Sequence, residues 1–418
     1  MNASRQALAG VRVLDLGIYW GGPYAGKLLA DMGAEVIKVE GPRRPDLLRI
    51  EARGLYPDRE PGEHPWNRSG MINERNRNKL GITLDLAKPA GIALFKELVK
   101  ISDVVIENFS ARVMPSLGLG FETLSTVNPQ VVMVSVTSQG LSGPEKDYIS
   151  FGNTLEQTGG LAAITGYPDR ASEYSSGAYP DPIGGLFAVA GAIAGLRQRR
   201  LTGLGVHVEV SQREAVTHFL GEVILDYSMN KRIHGPIGNR HPFLAPHGCY
   251  RCQGDDRWVT IAAGSEEEWQ ALCRTIGRED LIHDPRFAEV HVRYEHQDEL
   301  DSAIEAWTQT MDNYEAMHLL QRSGVTAHAV ARVSEVMKDP HLLARGFFET
   351  SPHPEAGTHQ YYSRPWQFSR TPGATYLPAP CFGEHNHKVL GELLGLNEEE
   401  VRELEEHGII GTTPLMTG

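Results

Sequence analysis

Three stretches of the sequence carry side chains in arrangements able to do chemistry. In Tyr179-Pro180-Asp181-Pro182-Ile183-Gly184-Gly185, an aspartate is followed by proline just ahead of a helical run over residues 186–200. Asp-Pro is a good N-cap and N1 pair, so helix capping is the ordinary use of such a residue. The same placement suits a carboxylate nucleophile. The positive helix end keeps it ionised, and nearby backbone donors could stabilise a tetrahedral oxyanion. The second stretch runs from Leu16 through Tyr19, Trp20, Gly21 and Gly22 to Gly26. Its glycines would let a ligand approach the backbone, and a helix start attracts phosphate or an oxyanion. Glu40 stands about where a dinucleotide fold keeps its ribose-binding acid. Yet Gly17, Gly21, Gly22 and Gly26 do not fit GxGxxG, and a plain strand-to-helix turn remains open. The third is a reversal of charge between Arg43 and Lys79, where nine basic residues face six acidic ones in a chain of net charge −13. Such a patch would favour a phosphorylated ligand, with a solvated basic loop as the simpler alternative.

Rival chemistries lack their motifs: there is no GxSxG elbow, no HExxH and no Walker A sequence. The 17 histidines show no metal-ligand spacing, and His385 and His387 suit solvated or packing roles. Cys249 and Cys252 form a CxxC pair, but a structural zinc would want a second pair, and Cys273 and Cys381 are isolated. Four such cysteines in 418 residues read as ordinary thiols in a reducing compartment, and no metal is expected. The acidic balance excludes broad nucleic-acid binding. Residues 1–9 lack the apolar core of a signal peptide, and no run reaches the roughly 18 apolar residues of a membrane span. The most apolar segment, residues 183–196, reads as a buried helix. A cytoplasmic protein with no membrane partner is expected.

These residues need elements to position them. Residues 11–16, 34–39, 104–106, 131–136 and 206–210 read as strands. Helical segments near 23–32 and along the face of Ile92, Phe95, Leu98 and Val99 alternate with them. The alternation predicts an α/β domain whose parallel sheet is covered on both faces. From about residue 226 the texture changes. Gly, Pro and His gather between 235 and 248, then residues 249–263 suggest a hairpin, with helices near 266–276 and 297–309. This is expected to be a smaller α+β domain over 226–330, between a large domain begun by 1–225 and completed by 331–418. A charged helix is expected over 384–406.

Taken together, the residues resemble the class III CoA-transferases, the group of formyl-CoA transferase and carnitine CoA-transferase. The resemblance runs nearly end to end. It includes Gly10-Val11-Arg12-Val13-Leu14-Asp15, then Leu29-Ala30-Asp31-Met32-Gly33-Ala34-Glu35-Val36-Ile37-Lys38-Val39-Glu40, and Val105-Ile106-Glu107-Asn108-Phe109. It continues from Asp181 through Arg200-Leu201-Thr202-Gly203-Leu204-Gly205 to Pro380-Cys381-Phe382-Gly383-Glu384-His385. The resemblance implies a Rossmann-like large domain and a smaller middle domain, with two chains interlocked as links, each a ring threaded by the other. The partner would be a second copy or a homologous subunit. It implies a small-molecule acyl-CoA and a carboxylic acid as substrates, and no permanently bound cofactor.

By the same resemblance Asp181 takes the place of the catalytic aspartate, and Tyr19, Trp20 and Gly21 that of the turn beside the thioester. Lys79, Asn108 and Phe109 match positions that hold CoA, Arg43 lies near the adenine-side arginine, and Arg112 stands near Ser116, where relatives often carry a base. Trp20 replaces the glutamine of the formate enzyme, and that enzyme's glycine run in the small domain has only Gly264 as a counterpart. The expected reaction passes through an aspartyl anhydride and an aspartyl-CoA thioester on Asp181. The segment from Glu40 through Glu74-Arg75-Asn76-Arg77-Asn78-Lys79 looks most like transferases of dicarboxylates using succinyl-CoA, the benzylsuccinate enzyme among them. Two alternatives stay open: an acyl-CoA racemase of the same fold, in which Lys146 would replace the histidine of a His-Asp pair, and a non-catalytic subunit of a heteromeric transferase.

Overall fold

The computed structural model describes residues 6–51, 55–175 and 177–415. Residues 1–5 of the expected leaderless start, and Arg53 of the basic stretch, lie outside the described residues. The chain divides into two compact units, one of residues 1–161, 174–232 and 344–418, the other of residues 162–173 and 233–343. The second unit therefore begins and ends further along the chain than the expected 226–330, and takes in a short earlier segment.

The first unit is built on strands β1 (Arg12–Asp15), β2 (Glu35–Glu40), β3 (Lys79–Thr83), β4 (Val104–Glu107), β5 (Val132–Thr137) and β6 (Val206–Ser211). They form one six-stranded sheet in the order β3-β2-β1-β4-β5-β6, with every pairing parallel. The central strands are buried on both faces, as a parallel sheet sandwiched by helices requires. Alternate side chains serve opposite cores. Leu14, Ile37, Ile82 and Val105 pack with Phe95 and Leu98, while Val13, Val36, Ile106 and Val134 pack with Leu28, Ala188 and Ala192. The helices of this unit that matter below are α1 (Gly21–Asp31), α2 (Gly70–Arg75), α3 (Pro89–Lys100), α4 (Gly152–Thr158), α5 (Pro180–Thr202), α6 (Gln212–Thr217) and α7 (Gly221–Asn230).

Strand order reverses between β1 and β4, so their carboxyl ends flank a crevice of the kind where open α/β sheets bind ligands. The turn before α1 and the Asn108–Phe109 turn both leave from it.

Three expectations change. β3 was not foreseen, because Lys79, Gly81 and Thr83 interrupt its apolar pattern. The strand is fixed by the distant C-terminal segment: Thr83 N–H donates to Asn386 Oδ1 at 2.8 Å. The 183–196 helix is longer and buried on one side only. Gly184, Gly185, Ala188 and Ala192 of α5 are buried, Gly185 against α1, whereas Leu186, Phe187 and Ile193 are exposed. The C-terminal helix is two pieces, Lys388–Leu393 and Glu398–Glu406, parted by Gly395 at φ +77° and restarted by the Asn397 cap.

The second unit has antiparallel strands β7 (His247–Arg251), β8 (Trp258–Ala262) and β9 (Thr326–Ala329). Helices α8 (Glu266–Thr275), α9 (Gln297–Thr308) and α10 (Asn313–Arg322) close over a core of Trp269, Leu272, Leu300, Ile304 and Leu320. Ser265 and Glu268 form a capping box at the start of α8.

Candidate active site

Asp181 lies in the first turn of α5, its side chain half-buried. Its Oδ1 accepts a hydrogen bond from Gln212 Nε2 at 2.8 Å. Its Oδ2 stands against Gly152, where an added Cβ would come within 2.9 Å. At Gly21 a Cβ would sit 3.1 Å from both the Asp181 carbonyl oxygen and Gln212 Nε2. Three helix starts thus converge on Asp181, those of α4 and α6 on its carboxylate and that of α1 on its backbone carbonyl, and the two glycines give the room. Burial pushes the Asp181 carboxyl above its ordinary range, against the opposing pull of the Gln212 hydrogen bond and the Arg75 charge.

The approach to Asp181 is clamped from within. Glu156 of α4 is buried and accepts hydrogen bonds from Ser175 N–H at 2.8 Å, Ser175 Oγ at 2.7 Å and Tyr179 N–H at 3.1 Å.

Buried charges hold the β1–α1 turn. Asp15 Oδ1 accepts from Gly17 N–H at 2.8 Å, Lys38 Nζ donates to the Gly17 carbonyl, and Asp46 accepts from Tyr19 N–H at 3.2 Å. Asn108 clips the same turn from β4, accepting from Ile18 N–H at 2.7 Å and donating to its carbonyl at 2.9 Å. Tyr19 is thereby held at φ +59°, a costly conformation for a side-chain-bearing residue, and its ring meets Phe151 edge to face at 5.7 Å. Trp20 lies beneath the Arg75 guanidinium, 4.4 Å from its ring centroid.

The structure gathers Tyr19, Trp20, Gly21, Asn108 and Asp181 in one place, and divides the remaining site residues. Lys79 is wholly buried: its ammonium donates to Asp15 Oδ2 at 2.7 Å, the Pro23 carbonyl at 2.7 Å and Asn76 Oδ1 at 2.8 Å, and burial brings it down to about 8. Lys79 and Asn108 both shape the turn: the Lys79 ammonium has its donors engaged within the fold, whereas half-buried Asn108 keeps a second amide N–H beyond its bond to Ile18. Phe109 is half-buried against the core, with its N–H on Glu107 Oε2 at 2.8 Å. Arg112 is exposed, and Arg43 is half-exposed with Asp85 3.9 Å away.

The basic stretch is no single patch. Arg49 pairs with Glu40 at 2.7 Å, Arg77 donates to the Tyr362 carbonyl at 2.7 Å, and both are buried with Lys79 and Arg75. Glu40 is therefore satisfied inside the fold, not waiting for a ribose. Gln212, Gly152, Glu156 and Arg75 were not singled out in the sequence as site residues. Only Arg75 stood in a quoted motif, and the others become neighbours of Asp181 through the fold alone. Lys146 and Asp147 are both exposed. Among the described residues, no three His, Cys, Asp or Glu gather as a metal site, and no helix is long and apolar enough to cross a membrane.

Residues 8–386 match the model of CoA-transferase family III. The succinyl-CoA–D-citramalate CoA-transferase of Chloroflexus aurantiacus is 36% identical over 400 residues, spanning 96% of this chain and 97% of that one. The succinyl-CoA–L-malate CoA-transferase beta subunit of the same organism is 29% identical, over 96% of this chain and 98% of that one. A solved CAIB/BAIF family protein from Brucella suis superposes with a TM-score of 0.84 at 28% identity, covering 93% of this chain and all of that one. The chain belongs to CoA-transferase family III and is a CoA-transferase: its substrates are CoA thioesters and carboxylic acids.

Proposed function

We propose that this chain moves CoA from succinyl-CoA to a second dicarboxylic acid, with Asp181 as the covalent acyl acceptor. The observation that carries the reading is one carboxylate at the crevice, oriented by Gln212 on one oxygen and left uncrowded at the other by Gly152. The relatives named for citramalate and malate support the substrate class.

An Asp181 oxygen attacks the thioester carbonyl, the C–S bond breaks, and CoA leaves as thiolate with the bonding pair. The thiolate attacks the aspartyl carbonyl of the resulting anhydride, the C–O bond to the donor acyl group breaks, and the donor acid departs as carboxylate. The acceptor carboxylate repeats both steps in reverse and regenerates Asp181. Forming the anhydride is uphill, since a thiol of pKa about 8.5 is displaced by a carboxylate of about 3.9. The thiolate must stay beside the anhydride, where proximity favours recapture. No proton moves, so Gln212, which orients without titrating, is an adequate partner. The exposed Arg43 and Arg112 are available to the CoA phosphates, as Lys79 is not.

An intertwined dimer, of two copies or with a homologous subunit, belongs to this reading. It is supported by α7, on which no residue is buried and Ile224, Leu225, Tyr227 and Met229 are each half or more exposed. Four free thiols suit a reducing cytoplasm. The test is CoA exchange between succinyl-CoA and a panel of acids. The reading expects transfer to dicarboxylates and a loss of at least about 10³-fold in Asp181→Ala. Undiminished exchange in that variant would remove Asp181 from the reaction.

A further inference from the structure

Arg75 is the least explained charge in the molecule. It closes α2 with 8% of its surface exposed, and its one ion pair among the described residues is with Glu74, whose Oε2 lies 3.4 Å from its Nε. Among the described residues no acceptor hydrogen-bonds the guanidinium, and buried Nε is an unsatisfied donor. A guanidinium carries five N–H donors in a planar fork, and buried polar groups are nearly always paired. The neighbouring Trp20 Nε1 is also buried without an acceptor. Stacking on Trp20 occupies one face of the fork and leaves its edges for another group.

The position is as telling as the vacancy of partners. Arg75 is near enough to Asp181 for its charge to help hold that carboxyl down. It thus stands at the acyl end of the reaction, while the phosphates of CoA lie at the far end of the pantetheine arm. The oxyanion that develops on the reacting thioester can be met by backbone N–H groups at the helix starts and does not by itself require both a fixed cation and an indole N–H. A second carboxylate on the acid, a few carbons from the one that reacts, calls for both.

Resting on the transferase reading above, we infer that the Arg75 guanidinium, with the Trp20 indole N–H, binds the non-reacting carboxylate of a dicarboxylic substrate. Arg75 is then the residue that separates dicarboxylic from monocarboxylic acids of equal length. A forked, stacked arginine matches a carboxylate in two parallel hydrogen bonds. Discrimination of this kind is large, because a substrate lacking the second carboxylate leaves the buried donors unpaired.

The experiment measures kcat/KM for glutarate and for valerate with succinyl-CoA as common donor, in the wild type, Arg75→Gln and Arg75→Lys. Any weakened use of the donor cancels in the ratio. Calorimetric titration of each acid into the resting proteins reads binding without turnover. The inference expects a wild-type preference for glutarate that Arg75→Gln narrows by roughly 10- to 100-fold, with Arg75→Lys between. Wild-type protein that uses both acids equally overturns it, as does a ratio unchanged in Arg75→Gln; in both cases the transferase reading stands. If neither variant folds, the wild-type preference alone decides. A wild type that exchanges CoA with no acid instead takes down the transferase reading, and this inference with it.

Discussion

At the scale of the residue, the site is one carboxylate under opposed influences. Burial raises Asp181, while Gln212 and Arg75 favour its charged form, and only the charged form attacks. Removing the Gln212 hydrogen bond must raise the carboxyl further. Gln212→Ala is therefore expected to move the acid limb of the pH–kcat/KM profile to higher pH, with activity recovering as pH rises; an unmoved limb would show that Gln212 does not act on this group. Asp181 was marked in the sequence by Asp-Pro near a helix start and given its role by the family resemblance, although the helix opens at Pro180 and Asp181 sits inside its first turn rather than as its cap. Gln212 was not, because it is an ordinary residue after a strand and meets Asp181 only across 31 positions of chain. Lys79 and Asn108 illustrate the converse. Their positions were readable, but whether a side chain turns inward to Asp15 and Ile18 or outward to a ligand depends on packing that no motif spells out.

Elements bring these residues together through close backbone approach. Gly185 of α5 faces α1 so tightly that a Cβ would lie 2.8 Å from the Gly21 carbonyl oxygen and 3.1 Å from Tyr24. Backbone cannot yield as a flexible side chain does, so Gly185→Ala is expected to push α5 from α1. Thermal or urea melts should report a loss of about 1–3 kcal/mol, and exchange activity should fall as Asp181 leaves the turn; unchanged melting would contradict the packing. The parallel-sheet architecture was legible because β2, β4 and β5 are Val- and Ile-rich runs buried on both faces, with the short β1 between β2 and β4 and β6 alternating valine with His207 and Glu209 at the edge. β3 escaped because its pattern is broken by Lys79, Gly81 and Thr83, residues that answer to Asp15, Pro380 and Asn386 rather than to a periodic face. The split C-terminal helix has the same character: its charge pattern is helical, and the interruption is made by Gly395 and the Asn397 cap.

For the whole molecule, Glu107 links the crevice to stability. Burial pushes its carboxyl up from 4.5 to about 7, against hydrogen bonds from Ser135 and the Phe109 N–H. Between those values the folded chain keeps a proton that the unfolded chain has released, so this group makes stability fall as pH rises through the window. Urea melts across pH 4.5–7 should show the wild type losing stability relative to Glu107→Gln by up to ~3 kcal/mol. A constant difference would mean that Glu107 does not titrate there. Sedimentation should find twice the chain mass, with charged substitutions at Ile224 and Met229 returning the monomer; a monomeric wild type would leave the bare face of α7 unaccounted for. The change of texture near residue 226 was legible as a Gly-, Pro- and His-rich crossing. The contribution of residues 162–173 to the second unit was not, because that segment carries no compositional mark of its own.

All of this turns on whether an acyl group is passed to one side chain. Incubation with succinyl-CoA, trapping with hydroxylamine and peptide mass spectrometry would read it directly. The account predicts an aspartyl hydroxamate at Asp181, dependent on the thioester and absent when the acid alone is supplied. Unmodified Asp181 in protein that is turning over, or a hydroxamate on another carboxylate, would contradict it.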